Sequence, residues 1–86
     1  MYYVYVIKSV GEDWYYVGLT NNVNKRLHQH NLAQSTSTKA HSPFKLIYSK
    51  SFTDRMSARD YEKFLKIHSN KEKLIKSLQI AEVAKW

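Results

Sequence analysis

The chain has 86 residues, carries 14 Lys and Arg against 7 Asp and Glu for a formal net charge of +7, and contains no cysteine. That length supports one small domain with a modest core, and the missing cysteines exclude disulfides and thiolate metal sites. The opening run MYYVYVIKS has no basic flank or small-residue cleavage pattern, and no apolar run reaches the roughly 20 residues of a membrane span. A single cytoplasmic domain over residues 1–86, with no membrane partner, is expected.

Tyr2 to Lys8 is nearly all β-branched or aromatic and reads as a strand. VGED, Val10 to Asp13, is a turn, and Tyr15 to Thr20 is a second strand, so the two form an antiparallel hairpin. Asn21 or Asn22 is the expected N-cap of a helix running to about Ala33, with Val23, Leu27 and Asn31 spaced by four along one face. Gln34 to Pro43 is a polar loop, long for a compact domain. Phe44 to Phe52 is a third strand, alternating around Leu46 and Tyr48. Asp54 is a good N-cap for a helix carrying Ala58, Tyr61 and Leu65 inward. The HSN at His68 to Asn70 breaks that helix. A Lys-rich amphipathic helix follows from Lys71 to about Leu78, within a C-terminal extension over 70–86. The order ββαβαα implies an α/β fold: a three-stranded sheet with an N-terminal antiparallel hairpin, flanked by helices that bury its apolar faces.

The charge is unevenly placed. From Trp14 to Thr53 there is no Asp or Glu, while Lys25, Arg26, Lys39, Lys45, Lys50, His28, His30 and His41 all fall there. A one-sign surface attracts polyanions, nucleic acid above all. No histidine pair has a third ligand at zinc spacing, no nucleophile elbow is present, and two glycines are too few for a phosphate-cradling loop.

Three residues on helices border the core. Arg26 and His30 are four apart, so they share a helix face, and a guanidinium beside an imidazole can grip a phosphate; the plainer reading is a solvated face. Glu62 follows the inward Tyr61, with Arg59 and Lys66 at helical spacing, and the plainer reading is an intrahelical ion pair. As a functional group, Glu62 is the evident ligand for a hard cation, since Mg²⁺ binds through one or two carboxylates plus phosphate oxygens.

The ordered set YVYVIKS, YYVGLT, NKRLHQHN and YEKFLK resembles the GIY-YIG nuclease superfamily, over about residues 2–66. The resemblance is to its small stand-alone members and, more distantly, to the N-terminal nuclease domain of the UvrC excision-repair protein. It implies a catalytic set of Tyr5, Tyr16, Arg26, His30 and Glu62, with Glu62 as the metal ligand and one Mg²⁺ or Mn²⁺ as cofactor. Asn31 stands where small members often have asparagine. Gly18, Asn31, Lys25 and Lys39 are the candidate substrate-binding positions. Tyr3 replaces the glycine of the first motif, and Leu19 stands where some relatives carry lysine.

What the resemblance implies is metal-dependent endonuclease cleavage of DNA, in repair or recombination. In that scheme Arg26 stabilises charge on the phosphate, and Tyr5, Tyr16 and His30 position or deprotonate water. A free tyrosine titrates near 10 and must fall about three units, roughly 4 kcal/mol, to be half ionised at neutral pH, whereas a free imidazole needs almost no shift. Acidity thus favours His30 as base and the resemblance favours Tyr16, so Tyr16 is the expected base or water-orienting group with His30 assisting. Gly18 shares a strand face with Tyr16, which suggests clearance for the substrate phosphate. The alternative is a nucleic-acid-binding module of the same fold that cuts weakly or not at all. The sequence offers no second DNA-finding domain, so either specificity falls to a branched target, a homodimer or a partner protein, or cutting is weak and non-specific.

Overall fold

The computed structural model describes residues 1–32 and 38–83. Strands β1 (Tyr2–Ser9) and β2 (Tyr15–Thr20) are followed by helix α1 (Val23–Asn31), a single 3₁₀ turn at Lys39–His41, strand β3 (Phe44–Phe52), and helices α2 (Arg55–Lys66) and α3 (His68–Val83). The sheet order is β2-β1-β3, with β1 antiparallel to both neighbours. The expected ββαβαα arrangement is therefore the one observed.

The central strand explains the two cores. Its side chains alternate between faces, and both faces are apolar. Val4 and Val6, with Val17 of β2, pack against Ala58 and Leu65 of α2 and against Leu74 of α3. Tyr5 and Ile7, with Phe44 of β3, form a second cluster joined by Trp14, Tyr16, Val23 and Leu27. Val4, Val6 and Ile7 are fully buried, each contributing about 1.5–3 kcal/mol of transfer free energy. The adjacent tyrosines of β2 divide the same way: Tyr15 packs with the α2 cluster and Tyr16 lies on the α1 face.

Helix starts follow their caps. Asn22 is the N-cap of α1, its Oδ1 accepting from the Lys25 amide at 3.1 Å. Asp54 caps α2 by accepting from the Ser57 amide at 2.9 Å, which holds its carboxyl below the usual range. Asn at this position satisfies an otherwise unpaired amide of the first turn, as does Asp.

Several details depart from the sequence expectation. Helix α1 ends at Asn31 with Leu32 as C-cap; Ala33 and the first part of the expected loop, residues 34–37, lie outside the described residues. The rest of that loop contains the 3₁₀ turn. The break after α2 falls at Ile67, and α3 begins at His68, not at Lys71. Strand β3 does not simply alternate. Its register with β1 shifts between Val6 and Ile7, which face Tyr48 and Leu46, so Ile47 is the extra residue. Two residues on one strand then oppose one on the other, and the alternation changes phase. Phe44 accordingly packs on the α1 side, while Ile47, Tyr48 and Phe52 pack on the α2 side.

Candidate active site

Tyr5 lies at the middle of β1, directly across from Gly18 of β2, and Ile7 pairs with Tyr16. Helix α1 crosses this face and brings His30 down onto it. The Tyr5 hydroxyl is 2.9 Å from His30 Nε2, and His30 Nδ1 is 2.8 Å from Thr38 Oγ1. All three side chains are fully or almost fully buried. The Tyr16 ring meets His30 edge-on at 5.1 Å between centroids and lies 6.3 Å from Tyr5. Phe44 closes the other side of His30, its centroid 5.9 Å away.

The electrostatics follow from burial. Loss of water pushes the Tyr5 phenol up to about 12, against the pull of the Arg26 guanidinium beside it, while Tyr16 and Glu62 push it further up. Tyr5 is thus a neutral hydroxyl at physiological pH. Burial, and next the Arg26 charge, lower the His30 pKa below its ordinary value, so this imidazole is neutral too. Arg26 itself is half-buried, and its Nη1 donates to Gln29 Oε1 at 3.1 Å. Five of the groups singled out in the sequence are thus brought together or within electrostatic reach: Tyr5, Tyr16, Arg26, His30 and, from α2, Glu62.

Their roles are not equal. His30 was expected to border the core and assist as a base or phosphate ligand. It is wholly buried, with both ring nitrogens engaged, so it cannot take a proton from a solvent water or touch a phosphate directly. Helix α1 turns His30 inward because its buried stripe runs Val23, Leu27, His30; Asn31, placed on that stripe by its spacing of four, is exposed. Tyr16 is half-buried, and its hydroxyl makes no hydrogen bond to a described residue. It is the hydroxyl of the set that remains available.

The candidate binding residues also separate. Gly18 was expected to leave clearance for a phosphate, but the space above it is filled by the Tyr5 ring. A Cβ at Gly18 would lie 2.5 Å from Tyr5 Cζ and 2.8 Å from Cε1, and closer still to the hydroxyl oxygen. Asn31 was expected to meet substrate; its Oδ1 instead accepts from the Phe44 amide at 2.6 Å, tying the end of α1 to the start of β3. Lys25 and Lys39 are exposed, Lys25 on the first turns of α1 and Lys39 on the 3₁₀ turn.

Glu62 is shielded, with its side chain 18% exposed, and pairs with Lys66 Nζ at 3.5 Å. Among the described residues no three His, Cys, Asp or Glu side chains cluster as metal ligands. The donor set is therefore one carboxylate. That suits Mg²⁺ or Mn²⁺ completed by water and phosphate oxygens, and does not suit a protein-caged metal.

Thr38 and the Trp14–His41 pair are features that sequence reasoning missed. Thr38 sits in the run STST, where nothing separates a buried hydroxyl from a solvated one. Trp14 stacks on His41 with centroids 3.9 Å apart and planes 11° apart, and His41 Nδ1 lies 3.1 Å from Glu12 Oε2. With the Val10 amide donating to Pro43 O at 3.0 Å, these contacts fasten the segment carrying Thr38 to the β1–β2 turn.

This sheet order, with helices on both faces and a tyrosine–arginine–glutamate set drawn from four elements, is the GIY-YIG α/β fold. The chain belongs to that family: the GIY-YIG catalytic domain matches residues 1–76. It is 36% identical to a UPF0213 protein of Limosilactobacillus reuteri over 84% of this chain and 77% of that one. A UPF0213 protein of Clostridium perfringens is 35% identical, covering 95% of this chain and 90% of its own. The solution NMR structure of a UPF0213 protein from Bacillus halodurans superposes with a TM-score of 0.54 at 26% identity, over 87% of this chain and 82% of that one. No described helix is long and apolar enough to cross a membrane.

Proposed function

We propose that this domain is a metal-dependent endonuclease that hydrolyses phosphodiester bonds of DNA, acting in the cytoplasm in repair or recombination. The observation that carries the reading is the convergence of Tyr16, Arg26 and the buried Tyr5–His30 pair on one face of the sheet, with Glu62 close enough to be felt at Tyr5. The acid-free stretch from Trp14 to Thr53, which contains β2, α1 and β3, suits a polyanionic ligand.

In this reading Arg26 binds the scissile phosphate and stabilises the negative charge that builds on it. Tyr5, neutral and fixed, holds the guanidinium in place from below. Tyr16 orients the attacking water and, in its phenolate form, takes the water's proton to become the phenol. Glu62 would hold Mg²⁺ or Mn²⁺, which would supply neutralisation of the charge that builds during cleavage. Lys66 must release the carboxylate for that to happen. Lys25 and Lys39 contact flanking phosphates. A branched target, a second copy or a partner protein supplies specificity.

The Lys66–Glu62 pair favours one other reading, a nucleic-acid-binding domain of the same fold whose carboxylate never takes a metal. A cleavage assay decides between them. Linear, branched and single-stranded DNA and RNA are incubated with Mg²⁺ or Mn²⁺, beside Glu62→Ala. The nuclease reading expects metal-dependent cutting that the variant loses; binding without cutting on every substrate overturns it.

A further inference from the structure

The hydrogen bonds around His30 have a direction: the Tyr5 proton sets it, and Thr38 completes it. The Tyr5 hydroxyl carries one proton, in a site that water does not reach. Among the described residues its one hydrogen-bond partner is His30 Nε2, at 2.9 Å, so that nitrogen is the acceptor within reach of the proton. A neutral imidazole has one acceptor and one donor nitrogen, so the His30 proton sits on Nδ1 and is donated to Thr38 Oγ1 at 2.8 Å. The opposite arrangement points Nε2–H at Tyr5 and strands the phenol proton. Buried polar hydrogens are rarely left so.

We infer that Thr38 is a positioning residue: by accepting from Nδ1–H, its hydroxyl oxygen holds His30 in the Nδ1–H tautomer, which keeps the Tyr5 proton turned inward and leaves the Tyr5 oxygen lone pairs to the neighbouring Arg26 charge. The segment carrying Thr38 is itself fastened by the Trp14–His41 stack and the Val10–Pro43 hydrogen bond. The order of the relay is thus Tyr5 to His30 to Thr38, each donating to the next, with the Arg26 charge beside Tyr5. Thr38 touches neither phosphate nor water, and acts only through the pair it orients. What this relay does for catalysis rests on the nuclease reading; the proton's location does not.

The test is ¹⁵N NMR of the imidazole nitrogens in the full chain at neutral pH, which needs no substrate. The wild type is expected to show His30 with a protonated Nδ1 and an unprotonated Nε2. Thr38→Ser keeps this signature. Thr38→Val, close in volume but without an acceptor, shifts His30 toward the Nε2–H tautomer or a mixture. In the metal-dependent cleavage assay, Thr38→Val is expected to lower kcat roughly 10-fold at unchanged KM, with Thr38→Ser restoring it. A wild-type spectrum with the proton on Nε2 overturns the inference, even where Thr38→Val does not fold. So does a folded Thr38→Val that keeps the wild-type tautomer. A wild type with the expected tautomer but no cleavage on any substrate removes the nuclease reading and leaves the assignment of Thr38 standing.

Discussion

The ring of Tyr5 lies across the backbone of Gly18, its cross-strand partner, where any side chain would collide with it. This relationship, and not clearance for a substrate, accounts for a glycine inside an aromatic and β-branched strand. Two positions are therefore one unit: Tyr5 reaches His30 because Gly18 is bare.

Gly18→Ala should destabilise the fold by about 1–3 kcal/mol, the usual range for forcing extra atoms into a packed site. Activity should fall with stability, not ahead of it. Urea denaturation of Gly18→Ala alone and in a Tyr5→Ala background measures the coupling. The glycine substitution should matter much less once the ring is gone; equal costs in both backgrounds would show that the ring is not what excludes a side chain.

Asn31→Ala should act on stability alone. It strands the Phe44 amide, which the Asn31 side chain holds at 2.6 Å. The expected loss is about 1–3 kcal/mol in denaturation, with nucleic-acid affinity unchanged per folded molecule. A loss of affinity without a loss of stability would return Asn31 to the binding surface.

His30 makes stability depend on pH. Its folded pKa is depressed, so the unfolded chain binds a proton more readily. The contribution is complete above the unfolded value near 6.5 and is lost as pH falls below it toward the folded value. Denaturation midpoints should therefore drop between about pH 7.5 and 5.5. His30→Gln should flatten that part of the profile, and an unchanged slope in the variant would place the effect elsewhere.

Tyr16→Phe separates chemistry from packing. Its hydroxyl is not holding the fold together, so unfolding free energy should change by less than about 0.5 kcal/mol. Cleavage should fall about 100-fold or more, as when a general base is removed. Normal cutting by the variant would leave Tyr16 with no proton-transfer role.

Lys66→Ala addresses the metal ligand. An i,i+4 pair on a helix is worth about 0.3–0.5 kcal/mol, so freeing the shielded Glu62 from the exposed Lys66 should tighten Mn²⁺ binding about twofold. Titration calorimetry with and without Glu62→Gln reads this directly. No Mn²⁺ binding by wild type or Lys66→Ala would favour the non-catalytic reading.

Much of this protein follows from local sequence. Strand alternation separates Tyr15 from Tyr16, Asn22 and Asp54 cap their helices, and the ordered tyrosine, arginine and glutamate positions carry the family. These features are set by neighbours a few residues away, so a linear reading reaches them. The remainder depends on contacts across the sheet. Asn31 and His30 are adjacent on α1, and only the crossing of α1 over β1 and β3 makes one a backbone clamp and the other a buried link. The bulge at Ile47 arises from pairing with β1. Thr38 gains its role 8 residues from His30, in a run where composition alone points to solvent. Gly18 owes its place to a ring on another strand. Sequence by itself determined which side chains are present and, outside Asn31 and the bulged strand β3, which face of its element each occupies; tertiary packing decided those exceptions and which side chains water can reach, and hence which can do chemistry and which can only hold the others still.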